Sequence, residues 1–155
     1  MSKVYLDTTE LQLSGISFVG IEDTEIILAG TIINSMDINE KNDEYQRYAD
    51  DYDIQFIFDD CIPSLRFYTV PLVDIMAKDS DGGFIGSLGQ QFDLESDSPI
   101  CYINKELECF IVSKNITEFL ENVESWKKNL MLYDKITFYT SKGEAESKLE
   151  FFNLF

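Results

Sequence analysis

Residues 77–90 read AKDSDGGFIGSLGQ: paired aspartates and four glycines inside fourteen residues. Such a run either grips a metal or a phosphate or turns one strand into the next, and the fold depends on which. A calcium loop of the EF-hand type needs oxygen ligands at its first, third and fifth positions, glycine at the sixth and glutamate at the twelfth. Counted from Asp79, those places hold Asp79, Asp81, Gly83, Phe84 and Gln90. The third ligand, the turn glycine and the bidentate acid are missing. A Walker-type phosphate loop ends in Gly-Lys-Ser/Thr, and no lysine follows these glycines. Gly83, Gly86 and Gly89 are evenly three apart, whereas the dinucleotide fingerprint spaces its glycines two and then three apart. Asp81-Gly82, followed by the strand formers Phe84, Ile85 and Leu88, is instead a hairpin turn signal. The run is read as a turn between two strands.

Strand patterns lie on both sides of it. Ahead come "KVYL" (3–6), "GISFVGI" (15–21), "EIILAGTII" (25–33), "IQFIF" (54–58) and "LRFYTVPLVDIM" (65–76), where Pro71 marks a bend or an edge position. Behind comes "SPICYINKELECFIVS" (98–113), a hairpin in which a three-residue loop Asn104-Lys105-Glu106 would set Cys101 opposite Cys109. "KITFYT" (135–140) reads as a further strand. Asn115 and Glu118 form a capping box, and Ile116, Phe119, Leu120, Val123, Trp126 and Leu130 recur at helical spacing, which predicts an amphipathic helix near 115–131. A short terminal helix is expected over Glu144–Phe152. The polar stretch 34–53 is read as a loop with a helical turn around Glu40–Ala49. No repeat, linker or composition break divides the chain, so residues 1–155 are read as a single α+β domain: a twisted sheet, mainly antiparallel or mixed, with helices packed on it.

With 45% hydrophobic and 14% aromatic residues, the 155-residue chain is a folding sequence and not an acidic disordered tail. Its start lacks the basic and apolar regions of a signal peptide, and no stretch approaches a membrane span, so a soluble cytoplasmic protein without membrane contact is expected. Three cysteines without metal spacing suit a reducing compartment. The net charge is −17, and residues 1–104 carry most of it, with 20 acids against 5 bases. Such a field repels nucleic acid and anionic lipid and attracts basic partners, although solubility alone also favours it.

Reaction chemistry finds few candidates. There are no histidines, so the usual general base and commonest metal ligand are absent, and no cofactor or metal signature replaces them. Ser87, in "IGSLG", is not a nucleophile elbow, because Ile85 stands where its first glycine belongs. Cys61 sits beside Asp59 and Asp60, which disfavour a thiolate; Cys101 and Cys109 lie in apolar strands and read as core thiols. The remaining catalytic reading is a carboxylate pair, which would need a buried acid of raised pKa in a cleft.

The segment from Asp43 to Asp60, "DEYQRYADDYDIQFIFDD", is the better functional candidate. Tyr45, Tyr48 and Tyr52 offer broad amphipathic contact area, and Asp50, Asp51, Asp53, Asp59 and Asp60 offer steering and register toward basic side chains. Two readings stand: a partner-binding surface, or a solvated loop whose tyrosines lie on the core.

The order "FYTVPLVDIMAKDSDGGFIGSLG", then "SPICYINKELECFIVS", then "NITEFLENV" resembles the SUKH superfamily, with its aspartate/glycine turn between strands and its closing helix. The resemblance covers roughly residues 67–125. Ile116 stands where the family often has Phe, and the first 65 residues show none of its N-terminal Leu-Pro and Asn-Gly elements. The resemblance implies an α+β fold without catalytic activity and the role of an immunity protein, which binds and neutralises a toxin domain, often a nuclease. A basic toxin partner suits the −17 charge. A small-ligand module on the same fold, a carboxylate enzyme and a nucleic-acid mimic are the rival classes.

Overall fold

The computed structural model describes residues 2–7, 24–88, 98–128 and 130–151. The turn that decides the sheet is held by Asp79. Its Oδ1 accepts from the backbone N–H groups of Asp81 and Gly83, at 3.1 and 2.7 Å, while Gly82 takes a φ of +88° that glycine adopts without strain. Strands β6 (Val73–Lys78) and β7 (Phe84–Leu88) leave this turn antiparallel. The expected hairpin is present, though Gly89 and Gln90 lie outside the described residues.

From that pair the sheet grows in both directions. β8 (Ile100–Ile103), β9 (Cys109–Ser113) and β10 (Met131–Leu132) add antiparallel on the β7 side. On the β6 side, β3 (Thr31–Ile33) pairs parallel with Val73–Ile75, and β4 (Gln55–Phe56) pairs antiparallel with Ala77–Lys78. The result is a seven-stranded mixed sheet. Two small sheets complete the strands: β1 (Ser2–Asp7) with β2 (Thr24–Ala29), parallel, and β5 (Tyr68–Val70) with β11 (Thr137–Tyr139), antiparallel. Pro71 follows a cis peptide bond and separates β5 from β6, the bend that its position predicts. The segment "GISFVGI", read as a strand, lies outside the described residues.

Strand alternation gives the main sheet two buried faces. Ile85, Ile100 and Tyr102 face α2 (Ile116–Glu121) and the 3₁₀ segment Val123–Lys128, which contribute Phe119, Val123 and Trp126. Val73, Ile75, Cys101 and Ile103 face the other way, onto Phe67, Ile136 and Phe138. Those that are fully buried, Ile75, Ile85 and Phe119 among them, each stabilise the fold by roughly 1.5–3 kcal/mol. The third helix, α3 (Lys142–Lys148), packs Ala145 beside Ala29, Tyr68 and Val70.

Three sequence expectations need correction. The β8–β9 loop has five residues, 104–108, so Cys101 stands opposite Ile111 and Cys109 opposite Ile103. Asn104 accepts from the N–H groups of Glu106 and Glu108 through its side chain, and Leu107 takes a φ of +61° to close the longer turn. The amphipathic helix is broken in two. Asn122 turns its side-chain amide onto the Glu118 carbonyl at 3.0 Å and ends the α-helix, after which the chain continues as 3₁₀. The terminal helix starts earlier than Glu144, because the Ser141 hydroxyl caps the Glu144 N–H while Glu144 reaches back to the Thr140 N–H. It stops at Lys148, and Leu149 is extended.

Candidate functional site

The stretch read as a loop with a helical turn is a ten-residue helix, α1 (Asp43–Tyr52). Asn42 caps it, its side chain accepting from the N–H groups of Glu44 and Tyr45, and Asp43 and Glu44 complement the positive end of the helix dipole. The stripe that buries one face consists of tyrosines three and four apart, which apolar periodicity alone does not register. Tyr45 stands edge-on to Phe56 and Phe58, with ring centroids 5.3 and 5.6 Å apart, and Tyr48 meets Phe56 at 5.6 Å. These phenols are half-buried against the sheet edge, so their rings serve packing first.

With the tyrosines turned inward, the outer face of α1 presents Gln46, Arg47, Asp50 and Asp51. Asp50 accepts from Gln46 at 3.0 Å. Asp59 accepts from the Ser35 hydroxyl at 2.5 Å, and Asp60 lies exposed beside it. Among the described residues, none of Asp43, Glu44, Asp50, Asp51, Asp59 and Asp60 has an ion pair. Between α1 and the chain at 55–61 runs a groove of about 380 Å³, lined by the rings of Tyr45, Phe56 and Phe58 and by the charged side chains of Asp50, Asp60, Lys41 and Lys78. Asp51 and Tyr52, with Asp50, border a smaller groove of about 240 Å³ against the 3₁₀ segment.

Asp53 serves the fold. It ends α1 in the left-handed region, at φ 58°, and its carboxylate accepts from the Ser80 amide and hydroxyl at 3.0 and 2.8 Å. Lys127 Nζ reaches Asp53 at 2.7 Å, Asp79 at 3.3 Å and Asp81 at 3.5 Å, so one lysine joins the end of α1 to the β6–β7 turn. Burial alone would push Asp53 up, but the bonds from Lys127 and Ser80 outweigh it and hold the carboxyl below its ordinary value. Burial likewise pulls the Lys127 ammonium down, and its bonds to Asp53 and Asp79 outweigh that and raise it. Tyr102 donates to the buried Asp79 at 2.5 Å; burial, and then that carboxylate, push the phenol up. The three aspartates have the donor atoms and mutual closeness to hold a divalent cation. In this fold the ammonium of Lys127 lies among them.

Sequence reasoning missed this cluster, since nothing in a one-dimensional pattern couples Asp53 to Lys127, 74 positions on. Asp74 is a second miss. It is buried on β6, opposite Ser87 in register, and its Oδ1 has no hydrogen-bond partner among the described residues. Burial pushes its pKa up to about 6, but it borders neither groove of α1. Cys61 is exposed, while Cys101 and Cys109 are buried and not bridged. The hydrogen bond with Cys109, and then burial, raise Cys101 well above its ordinary value, which keeps it a thiol.

No helix among the described residues is long and apolar enough to cross a membrane. No protein-family model, characterised protein or solved structure matches the chain.

Proposed function

We propose that the protein acts by binding and not by catalysis, as a cytoplasmic immunity protein of the SUKH type that neutralises a basic, nuclease-like toxin domain. The observation that carries this reading is the placement of Asp50 and Asp51. They occupy the last turn of α1, where the helix dipole is negative, no basic residue stands in that turn, and neither has an ion pair among the described residues. Acids at that end destabilise a helix by roughly 0.3–1 kcal/mol each. Folding recovers little from them there: the hydrogen bond from Gln46 to Asp50 returns roughly 0.2–0.5 kcal/mol, and none of the described contacts does so for Asp51, whereas a basic partner gains from both. Asp60 lines the same groove as Asp50, with the exposed Asp59 next to it in the chain, and a basic cleft built to hold phosphates is the electrostatic complement of these acids.

A pull-down tests this. The tagged protein is incubated at low salt with lysate expressing the toxin-like genes encoded beside it. A single basic partner is expected, released as salt rises and weakened at least tenfold by Asp51→Lys. Capture of nothing at low salt, or capture unchanged by the charge reversal, would falsify the proposal and move the choice to a small-ligand module.

A further inference from the structure

The groove beside α1 carries more detail than a general acidic surface. Tyr45, Phe56 and Phe58 line it, its two acids, Asp50 and Asp60, have no ion pair among the described residues, and two of the chain's own cations, Lys41 and Lys78, line it with them. Lys41 Nζ sits 5.5 Å from the centroid of the Phe58 ring. The backbone N–H of Lys41 bonds the Ile38 carbonyl and caps the 3₁₀ turn Ile38–Glu40, but among the described residues no ion pair holds its exposed ammonium. An exposed contact of this kind is among the weakest that fix a side chain.

We propose that the groove between α1 and residues 55–61 is the anchor pocket for one arginine side chain of the basic partner, with Lys41 as the chain's own removable occupant. The inference rests on the partner-binding reading above. Arginine fits better than lysine on two grounds. Its guanidinium is flat and weakly hydrated, so it stacks on aromatic rings where an ammonium keeps its water. Its forked N–H groups also offer several donors in one plane, and both Asp50 and Asp60 line the groove as acceptors. At about 380 Å³ the groove is large enough for one such side chain. Buried arginines are frequent energetic centres of protein interfaces, and aromatic rings with carboxylates beside them suit a guanidinium.

Cys61 lines this groove and is the exposed cysteine, Cys101 and Cys109 being buried, so its alkylation by iodoacetamide reports occupancy directly. The probe is Nα-acetyl-arginine methylamide at low salt, compared with the corresponding lysine and citrulline amides. Arginine at tens of millimolar is expected to slow alkylation at least about twofold, lysine less and citrulline not at all. The Asp50→Asn, Asp60→Asn double variant should lose the protection with its melting temperature kept. Lys41→Ala should show half-protection at a probe concentration roughly two- to fivefold lower, the factor that corresponds to one exposed cation–ring contact. Equal protection by citrulline or lysine, or no protection by arginine in both the native chain and Lys41→Ala, overturns the inference. Salt-sensitive capture of a partner without arginine protection removes this pocket alone. Arginine protection without any captured partner removes the immunity reading and leaves the cation pocket.

Discussion

Asp74 is the residue whose surroundings fit its charge least well. It is buried with Oδ1 unpartnered among the described residues, and burial raises its pKa from 3.8 to about 6. Because the folded protein holds this proton more tightly than the unfolded chain, the group stabilises fully below the ordinary carboxylate value. That contribution is lost as pH rises through about 6. Asp53 has the opposite sign: its pKa is lowered, so its contribution is present above 3.8 and lost only as pH falls below that. Thermal stability should therefore rise on going from pH 7.5 to pH 5 and fall below about pH 4. Asp74→Asn removes the first part. It is expected to gain up to about 3 kcal/mol at pH 7.5, the equivalent of a shift of roughly two pKa units, with a flatter profile down to pH 5. A melting series on both proteins checks it, and parallel profiles would mean that Asp74 is solvated after all.

At the scale of elements, α1 shows what a sequence reveals and what it hides. The β6–β7 turn was legible because Asp79, Asp81 and Gly82 are turn formers, although the turn spans residues 79–83 and takes its positive φ at Gly82 alone. α1 was not, because its inward stripe is Tyr45, Tyr48 and Tyr52 set among acids, amphipathic side chains that suit a surface and a core equally. The β8–β9 loop misled for another reason: its positive φ falls on Leu107, and leucine gives no turn signal. The acids of residues 43–60 were legible, since charge is visible residue by residue, but Asp53 could not be told from Asp51 without Lys127 and Ser80 beside it. That difference is measurable. Asp51→Lys places a cation at the negative end of the helix and is expected to stabilise the free protein by about 0.3–1 kcal/mol. Asp53→Lys breaks the bonds to Ser80 and Lys127 and should destabilise it by about 1–3 kcal/mol. Urea unfolding of the two variants separates them, and a loss for both would mean that Asp51 also serves the fold.

For the whole molecule the governing quantity is the uncompensated charge of −17. Among the described residues, ion pairs reach only Asp7, Asp53, Asp79, Asp81 and Glu118, and three of these five share Lys127. Most acids thus repel one another across the surface, and folding gathers them closer than they stand in the unfolded chain. Salt screens this over about 10 Å at 0.1 M and about 3 Å at 1 M, so its effect on the free protein is stabilising. The same ions screen attraction to a basic partner, so their effect on the complex is the reverse. The free protein's melting temperature should rise by a few degrees between 10 and 300 mM NaCl, while the association rate with the captured partner falls at least tenfold. Calorimetry and stopped-flow mixing over one salt series measure both. A melting temperature that stays flat while association slows would place the relevant acids at the interface and leave self-repulsion negligible. A rise in stability with no change in association would confine the charge to solubility, because a surface that steers a partner cannot be indifferent to the ions that screen it.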